Sequence, residues 1–250
     1  MANRHSYGLA VLMLLGCGLA MRAQTPAAYD DQTVFMEAAR EKALIYRGSL
    51  APEYHFRCNG IVYAERREFL SGSVMYNGCL YNDVMLNIDA CAQLLCVKAS
   101  VICATDTEYV EYACFGGAKF VNLGFGNRIA DAPAGYCKLL YEGSVAFYKQ
   151  IRKTLVTDNG YHNGEDIGYY DPDYSDRTET YFALEEKDYL VKEGRAIPIR
   201  SKRAFLKCFD KESAKSLRRF AFRSDSLSGD ASLENYAVTL LGHYDGTEGR

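Results

Sequence analysis

The stretch Val74-Met75-Tyr76-Asn77-Gly78-Cys79-Leu80-Tyr81-Asn82-Asp83-Val84-Met85-Leu86-Asn87-Ile88-Asp89 decides the fold class. At its centre, Asn77-Gly78 separates two apolar runs that each carry a tyrosine. A two-residue type I′ turn needs positive φ at both central positions, and Asn followed by Gly tolerates this best. A turn at that point pairs Tyr76 with Cys79 and Val74 with Tyr81, so the four side chains share one face. Val84, Leu86 and Ile88 then alternate with Asp83, Asn87 and Asp89, the period-two pattern of a strand with one face in a core and the other in water.

Outward from this hairpin the pattern repeats. Leu94–Lys98, Val101–Thr105, Glu108–Phe115 and Lys119–Leu123 read as strands. Tyr136–Tyr141 and Val145–Val156 flank Glu142-Gly143 as a second hairpin, and Tyr181–Glu186, Tyr189–Lys192 and Arg195–Ile199 follow, the last two around Glu193-Gly194. Many short strands joined by tight turns predict an antiparallel meander, closed into a barrel or folded into a sandwich. The crossover helices of a parallel sheet are missing. A short helix is expected over residues 28–46. Lys202–Phe209 and Lys211–Phe222 also read as helical, with Asp210 as N-cap between them. The last helix is the clearest, because Leu233, Tyr236, Ala237, Leu240, Leu241 and Tyr244 recur at helical spacing after Asp230. The expected fold is therefore α+β and mainly β, an antiparallel meander with an N-terminal helix and a C-terminal helical tail. In domain terms, residues 1–23 read as a signal peptide, 24–200 as a short helix plus the β body, and 201–250 as a basic helical tail packed on that body.

Composition agrees with a globular chain rich in β-structure. Of 250 residues, 48% are apolar and 24% charged; Tyr supplies 20, Phe 12, and Trp is absent. Tyr suits a half-buried pleated surface, with its ring packed and its hydroxyl in water. Net charge is −3, and loss of the first 23 residues removes Arg4 and Arg22 but no acid, moving it to −5. No global field draws such a chain to nucleic acid.

Residues 1–23 follow the plan of an export signal: a polar, basic start at Asn3, Arg4 and His5, an apolar run from Leu9 to Ala20, then small residues before Gln24 and Thr25. The run is shorter than the roughly 20 residues a membrane helix needs. Cleavage after Ala23 is expected, with Ala20 as the alternative site. Leu14-Leu15-Gly16-Cys17 resembles a lipoprotein box, but the apolar run continues past Cys17, so a lipid anchor there is the less favoured reading. No other segment is apolar enough to cross a membrane as a helix, and the chain is read as exported to the periplasm or cell surface.

Eight cysteines follow Cys17: Cys58, Cys79, Cys91, Cys96, Cys103, Cys114, Cys137 and Cys208. An even number in an exported chain invites disulfides, yet most lie in apolar strand runs where Cys acts as a small hydrophobe. No Cys-x-x-Cys occurs and no His stands at zinc-ligand spacing. His55, His162 and His243 accompany no nucleophile motif, and surface or satisfied histidines are expected. No cofactor motif is present; Gly116-Gly117 and Gly124-Phe125-Gly126 read as turns.

Two charged stretches stand out. Residues 158–176 carry Asp158, Glu165, Asp166, Asp171, Asp173 and Asp176 among Tyr161, Tyr169, Tyr170 and Tyr174. Asp171, Asp173 and Asp176 place oxygens as part of a calcium loop would, without its turn-making Gly or its distal Glu. Tyr169, Tyr170 and Tyr174 are partner-contact candidates, since Tyr serves recognition well; a solvated insertion is the plainer reading. From Arg195 to Arg223, ten basic residues face only Asp210 and Glu212, an excess of +8. Lys202, Arg203, Arg218 and Arg219 are the candidates there for an anionic lipid headgroup or an acidic envelope partner.

Tyr46-x-Gly48, Gly72-x-Val74-x-Tyr76-Asn77-Gly78-x-x-Tyr81-x-Asp83-Val84-x-Leu86, Gly135-Tyr136-x-x-Leu139-x-Tyr141-x-Gly143, Ile199-x-Ser201-Lys202-x-x-Phe205-Leu206 and the terminal Tyr244-Asp245 follow one another along the chain. That succession resembles a set of uncharacterised exported β-rich proteins of Gram-negative bacteria. The resemblance implies export and a β-fold, and it brings no activity or catalytic residue. The cysteine load and the insertion over 158–176 depart from it. The function these readings favour is a non-catalytic binding module of the cell envelope. The alternatives are a β-barrel holding a small apolar or lipid ligand, and a hydrolase whose Cys/His site is assembled in space.

Overall fold

The computed structural model describes residues 43–54, 58–158, 179–224, 227 and 231–248, all within one unit spanning residues 39–250. The strands are β1 (Ser49–Leu50), β2 (Cys58–Asn59), β3 (Leu70–Tyr76), β4 (Cys79–Asp89), β5 (Leu94–Lys98), β6 (Ile102–Ala104), β7 (Val110–Phe115), β8 (Ala118–Asn122), β9 (Tyr136–Glu142), β10 (Ala146–Asp158), β11 (Glu179–Lys192) and β12 (Arg195–Ile199). Three α-helices follow: α1 (Lys202–Leu206), α2 (Lys211–Arg223) and α3 (Leu233–Glu248).

The Asn77-Gly78 turn forms as its residues require, with φ of 49° and 74°. Tyr76 lies opposite Cys79 and Val74 opposite Tyr81. Val74, Tyr76 and Tyr81 are buried, while Cys79 at the mouth of the turn is exposed. Glu193 and Gly194, with φ of 52° and 74°, make the equivalent turn between β11 and β12.

Two meanders, β3 to β6 and β7 to β12, join where β3 pairs with β7, and β1 returns to lie beside β6. The strand order is β1-β6-β5-β4-β3-β7-β8-β9-β10-β11-β12, antiparallel throughout, and the short β2 adds in parallel to β11. This corrects the expected barrel or sandwich. The structure is one open sheet whose ends, β1 and β12, do not pair with each other. The β12 edge is blocked locally instead: the Ala196 N–H, turned away from β11, donates to the Ala130 carbonyl at 2.9 Å. Pro198, two residues on and facing the same edge, has no N–H to extend a ladder.

Two further expectations are corrected, and a third falls largely outside the described residues. Tyr181–Glu186 and Tyr189–Lys192 are one strand, paired without a bulge to β10 from Asp158↔Glu179 to Ala146↔Val191. Within it Lys187 pairs with Glu185 at 3.0 Å, and Asp188 lies opposite Lys149. Asn87 and Asp89 do not face water; each is only 2% exposed. Their polar atoms are satisfied: Asn87 donates to the carbonyls of Arg66 and Glu68, both at 3.0 Å. Asp89 accepts from the N–H groups of Cys91 and Ala92 and from the Tyr54 hydroxyl, each at 2.8 Å. The expected helix over 28–46 lies largely outside the described residues, and its described end, Leu44–Tyr46, is a single 3-10 turn.

The helical tail docks where its apolar stripe meets the second meander. Tyr236, Ala237, Leu240, Leu241 and Tyr244 of α3 bury with Leu217 of α2, Phe205 of α1 and the sheet residues Phe147, Leu190 and Ile199. Edge-to-face rings run through this core: Phe147 to Phe205 at 6.2 Å, Phe205 to Tyr236 at 6.2 Å, and Phe209 to Tyr244 at 5.1 Å.

Candidate functional site

Among the described residues, the outer face of α2 is a charged surface that the tail helices do not bury. Asp210 caps the helix as expected, accepting from the N–H groups of Glu212 and Ser213 at 2.9 and 3.0 Å. Ala214 and Leu217 turn inward, and Phe220 stacks on His243 of α3 with centroids 3.9 Å apart and planes 5° from parallel. That inward set fixes the rotation of the helix. Lys211, Lys215, Arg218, Arg219 and Arg223 are thereby exposed, together with Phe222, which is 94% exposed. Phe222 stands four residues after Arg218, one turn along the same face. Among the described residues, none of these five cations forms an ion pair.

The C-terminal end of α3 is tied to the β9–β10 hairpin. Asp245 accepts hydrogen bonds from the Tyr141 hydroxyl and from the hydroxyl and N–H of Ser144. A Cβ on Gly143 would fall 1.8 Å from the Asp245 Oδ2, so glycine is required for the contact. Burial by itself would raise the Asp245 carboxyl, but the bonds from Ser144 and Tyr141 outweigh it and hold it below the usual carboxylate range. The Tyr141-x-Gly143 and Tyr244-Asp245 pieces noted in the sequence thus meet here.

The basic candidates divide. Arg218 and Arg219 lie on the α2 face and Arg203 is exposed on α1. Lys202 turns inward, its ammonium 5.2 Å from the centre of the Tyr236 ring. Arg195 is taken up by Asp131 at 2.6 Å. The partner candidates Tyr169, Tyr170 and Tyr174 and the calcium candidates Asp171, Asp173 and Asp176 lie outside the described residues, as do His55 and His162. Among the described residues, no three His, Cys, Asp or Glu side chains are arranged to hold a metal ion.

Of the described thiols, Cys96, Cys103 and Cys137 are buried packing groups, while Cys79 is exposed. Cys79, Cys91, Cys96, Cys103, Cys114, Cys137 and Cys208 are all unbridged. Burial pushes the Cys96 and Cys137 thiols up to about 12, and that of Cys208 also upward, away from the thiolate a nucleophile needs. Phe222 was missed in the sequence reading, though its place one turn beyond Arg218, off the Ala214–Leu217 stripe, was readable there.

No family model matches this chain, and neither the search of curated proteins nor that of solved structures found a match.

Proposed function

We propose that this chain is an exported, non-catalytic binding module of the cell envelope that settles on anionic lipid through the outer face of α2. The observation that carries the reading is a phenylalanine 94% exposed among five exposed cations on one helix, none of them ion-paired among the described residues. An aromatic wedge within a basic face suits the headgroup boundary of a bilayer, where the ring leaves water and the cations meet phosphate. A purely electrostatic protein contact gives Phe222 nothing to do. Each cation near an anionic surface contributes about 1 kcal/mol, and the ring adds about 2 kcal/mol on insertion, giving reversible, salt-sensitive attachment. The export signal read at residues 1–23 and the resemblance to exported β-rich proteins support the envelope setting. No described helix is long and apolar enough to cross a membrane.

Co-sedimentation with vesicles tests this. Binding is expected to vesicles containing phosphatidylglycerol and not to pure phosphatidylcholine. It should be lost between about 0.05 M and about 0.5 M salt, as the screening length shortens about threefold. Arg218→Glu with Arg219→Glu should abolish it. Equal binding to both vesicle types, or none to the anionic ones at low salt, sinks the reading; in the latter case a salt-sensitive protein partner would be the face's remaining use.

A further inference from the structure

β10 and β11 form a ribbon longer than the strands beside it, so each has a stretch of edge beyond its neighbour. On the β10 side, β9 pairs only as far as Gln150. Beyond it, the β4–β5 turn satisfies the ribbon: the Lys153 N–H donates to the Ala90 carbonyl at 3.0 Å and the Gln93 amide donates to the Ile151 carbonyl at 2.9 Å. On the β11 side, β12 pairs Asp188 to Lys192 and β2 pairs Thr180 and Tyr181. Between them, Phe182 to Lys187 has no partner strand among the described residues.

The orientation of this gap follows from β12. Because the Ala196 N–H points away from β11, its opposite number Val191 turns its main chain to β10, and the even-numbered residues of β11 face the β12 side. Phe182, Leu184 and Glu186 therefore point their N–H and C=O groups into the gap, over about 20 Å of strand at about 3.3 Å per residue. Leu184 is 59% exposed.

A hollow lies at each end. One of about 280 Å³ is lined by Tyr54, Ile61, Val62, Tyr63 and Phe182, with Arg67 beside them. The other, about 1000 Å³, is lined by Glu185, Glu186 and Asp188 and by the β12 residues. The lining also holds Lys187, Arg195 and Arg200; Lys187 pairs with Glu185 at 3.0 Å and Arg195 with Asp131 at 2.6 Å, which leaves Glu186 and Asp188 as the acids open to a further cation. Glu186 and Glu234 share Lys149, at 3.4 and 2.6 Å. Asp188 lies across the ladder from Lys149, and its Oδ1 is buried with no hydrogen-bond donor.

We propose that the β11 edge from Phe182 to Lys187 takes up an extended peptide as an added strand, with an apolar side chain in the Phe182 hollow and a lysine or arginine at Asp188 and Glu186. This site is separate from the α2 face, and neither proposal rests on the other. Main-chain ladders supply affinity in such strand addition, and pockets for alternate side chains supply selectivity. A second copy of this chain is the poorer occupant. Its own β11 runs for fourteen residues, and a rigid strand of that length would collide with β2 and β12, which bound the gap in the plane of the sheet. A flexible segment of five or six residues can enter and leave the gap.

The probe is a fluorescein-labelled eight-residue threonine peptide with one isoleucine and one lysine four positions apart, measured by anisotropy against the full chain. Two controls carry glutamate in place of the lysine, or N-methyl groups on alternate amides. The lysine peptide should bind at least tenfold more tightly than the glutamate peptide, and N-methylation in the edge-facing phase should abolish binding. Asp188→Asn should remove most of the lysine preference while leaving the fold intact. Leu184→Pro, which deletes an edge-facing N–H without touching the β10 ladder, should weaken every peptide. Absence of binding up to about 1 mM, or indifference to both N-methylation and charge, overturns the proposal. So does a concentration-dependent dimer in sedimentation velocity that Leu184→Pro dissolves, which would make a second copy the occupant.

Discussion

The two meanders are covered by different means. Over the second, the cover is apolar: three helices lay a stripe of leucines and aromatic rings on Phe147, Leu190 and Ile199. On the first, much of the closure is polar. The segment before β3 is held by the Asn87 amide through Arg66 and Glu68, and the Lys153 ammonium donates to the carbonyls of Ile61 at 2.9 Å and Tyr63 at 2.5 Å. Where the β4–β5 turn meets β10, Gln150 donates to Gln93 at 3.3 Å and to the Ala134 carbonyl at 2.7 Å. Apolar cover stabilises by area and tolerates small shifts; polar closure contributes less per contact but accepts one arrangement, since a displaced donor leaves a buried acceptor bare. The helical side therefore adds apolar cover, and the strap of residues 61–68 adds position to a meander that buries its own apolar set, Val74, Val84, Leu86, Ile88, Leu95 and Val97.

The largest effect expected from this contrast is on the helical side. Phe147→Ala empties a fully buried site against Phe205 and should cost about 3–5 kcal/mol in chemical denaturation. A loss below about 1 kcal/mol would mean that the helices are not the main apolar cover. On the strap side, Asn87→Ala strands two carbonyls and should cost about 1–3 kcal/mol. It should also raise amide exchange in residues 58–68 well before the global transition, and exchange no faster than in the wild-type chain would refute the positional role.

The contact that fastens α3 to the β9–β10 hairpin, within the helical side, should show in pH. The Asp245 carboxyl is held below its ordinary value in the folded chain, so the folded state binds fewer protons there than the unfolded state. Its contribution is fully present above the unfolded carboxylate pKa, near 3.9, and fades as pH falls through the folded value. The difference in melting temperature between the wild-type chain and Asp245→Asn should thus be larger at neutral pH than at about pH 3. A constant difference would exclude the carboxylate as the latch. The smallest stability effect is expected at Phe222, where Phe222→Ala should change stability by less than about 0.5 kcal/mol yet weaken binding to anionic vesicles about thirtyfold, from the lost transfer of the ring. A destabilised variant would instead make Phe222 a packing residue.

Much of this was legible from local chemistry. Asn77-Gly78 and Glu193-Gly194 turn where their dihedrals allow, Asp210 caps α2, and the Tyr236 to Tyr244 stripe buries as its period requires. Of the basic candidates, Arg203, Arg218 and Arg219 are exposed. Lys202 is not, because the Tyr236 ring that draws it in comes from another helix. Asn87 and Asp89 were read as water-facing because alternation reports one covered face and carries no sign of a strap arriving over the other.

By itself the sequence determined turns, caps and the period of each element, since these depend on residues within a few positions of one another. Tertiary structure alone decided that β3 pairs with β7, that Lys153 reaches the carbonyl of Ile61 across 92 positions, that the sheet stays open, and that one length of β11 edge has no neighbour among the described residues. Those outcomes rest on contacts between distant segments, whose formation depends on the whole chain closing on itself and leaves no pattern in any local window.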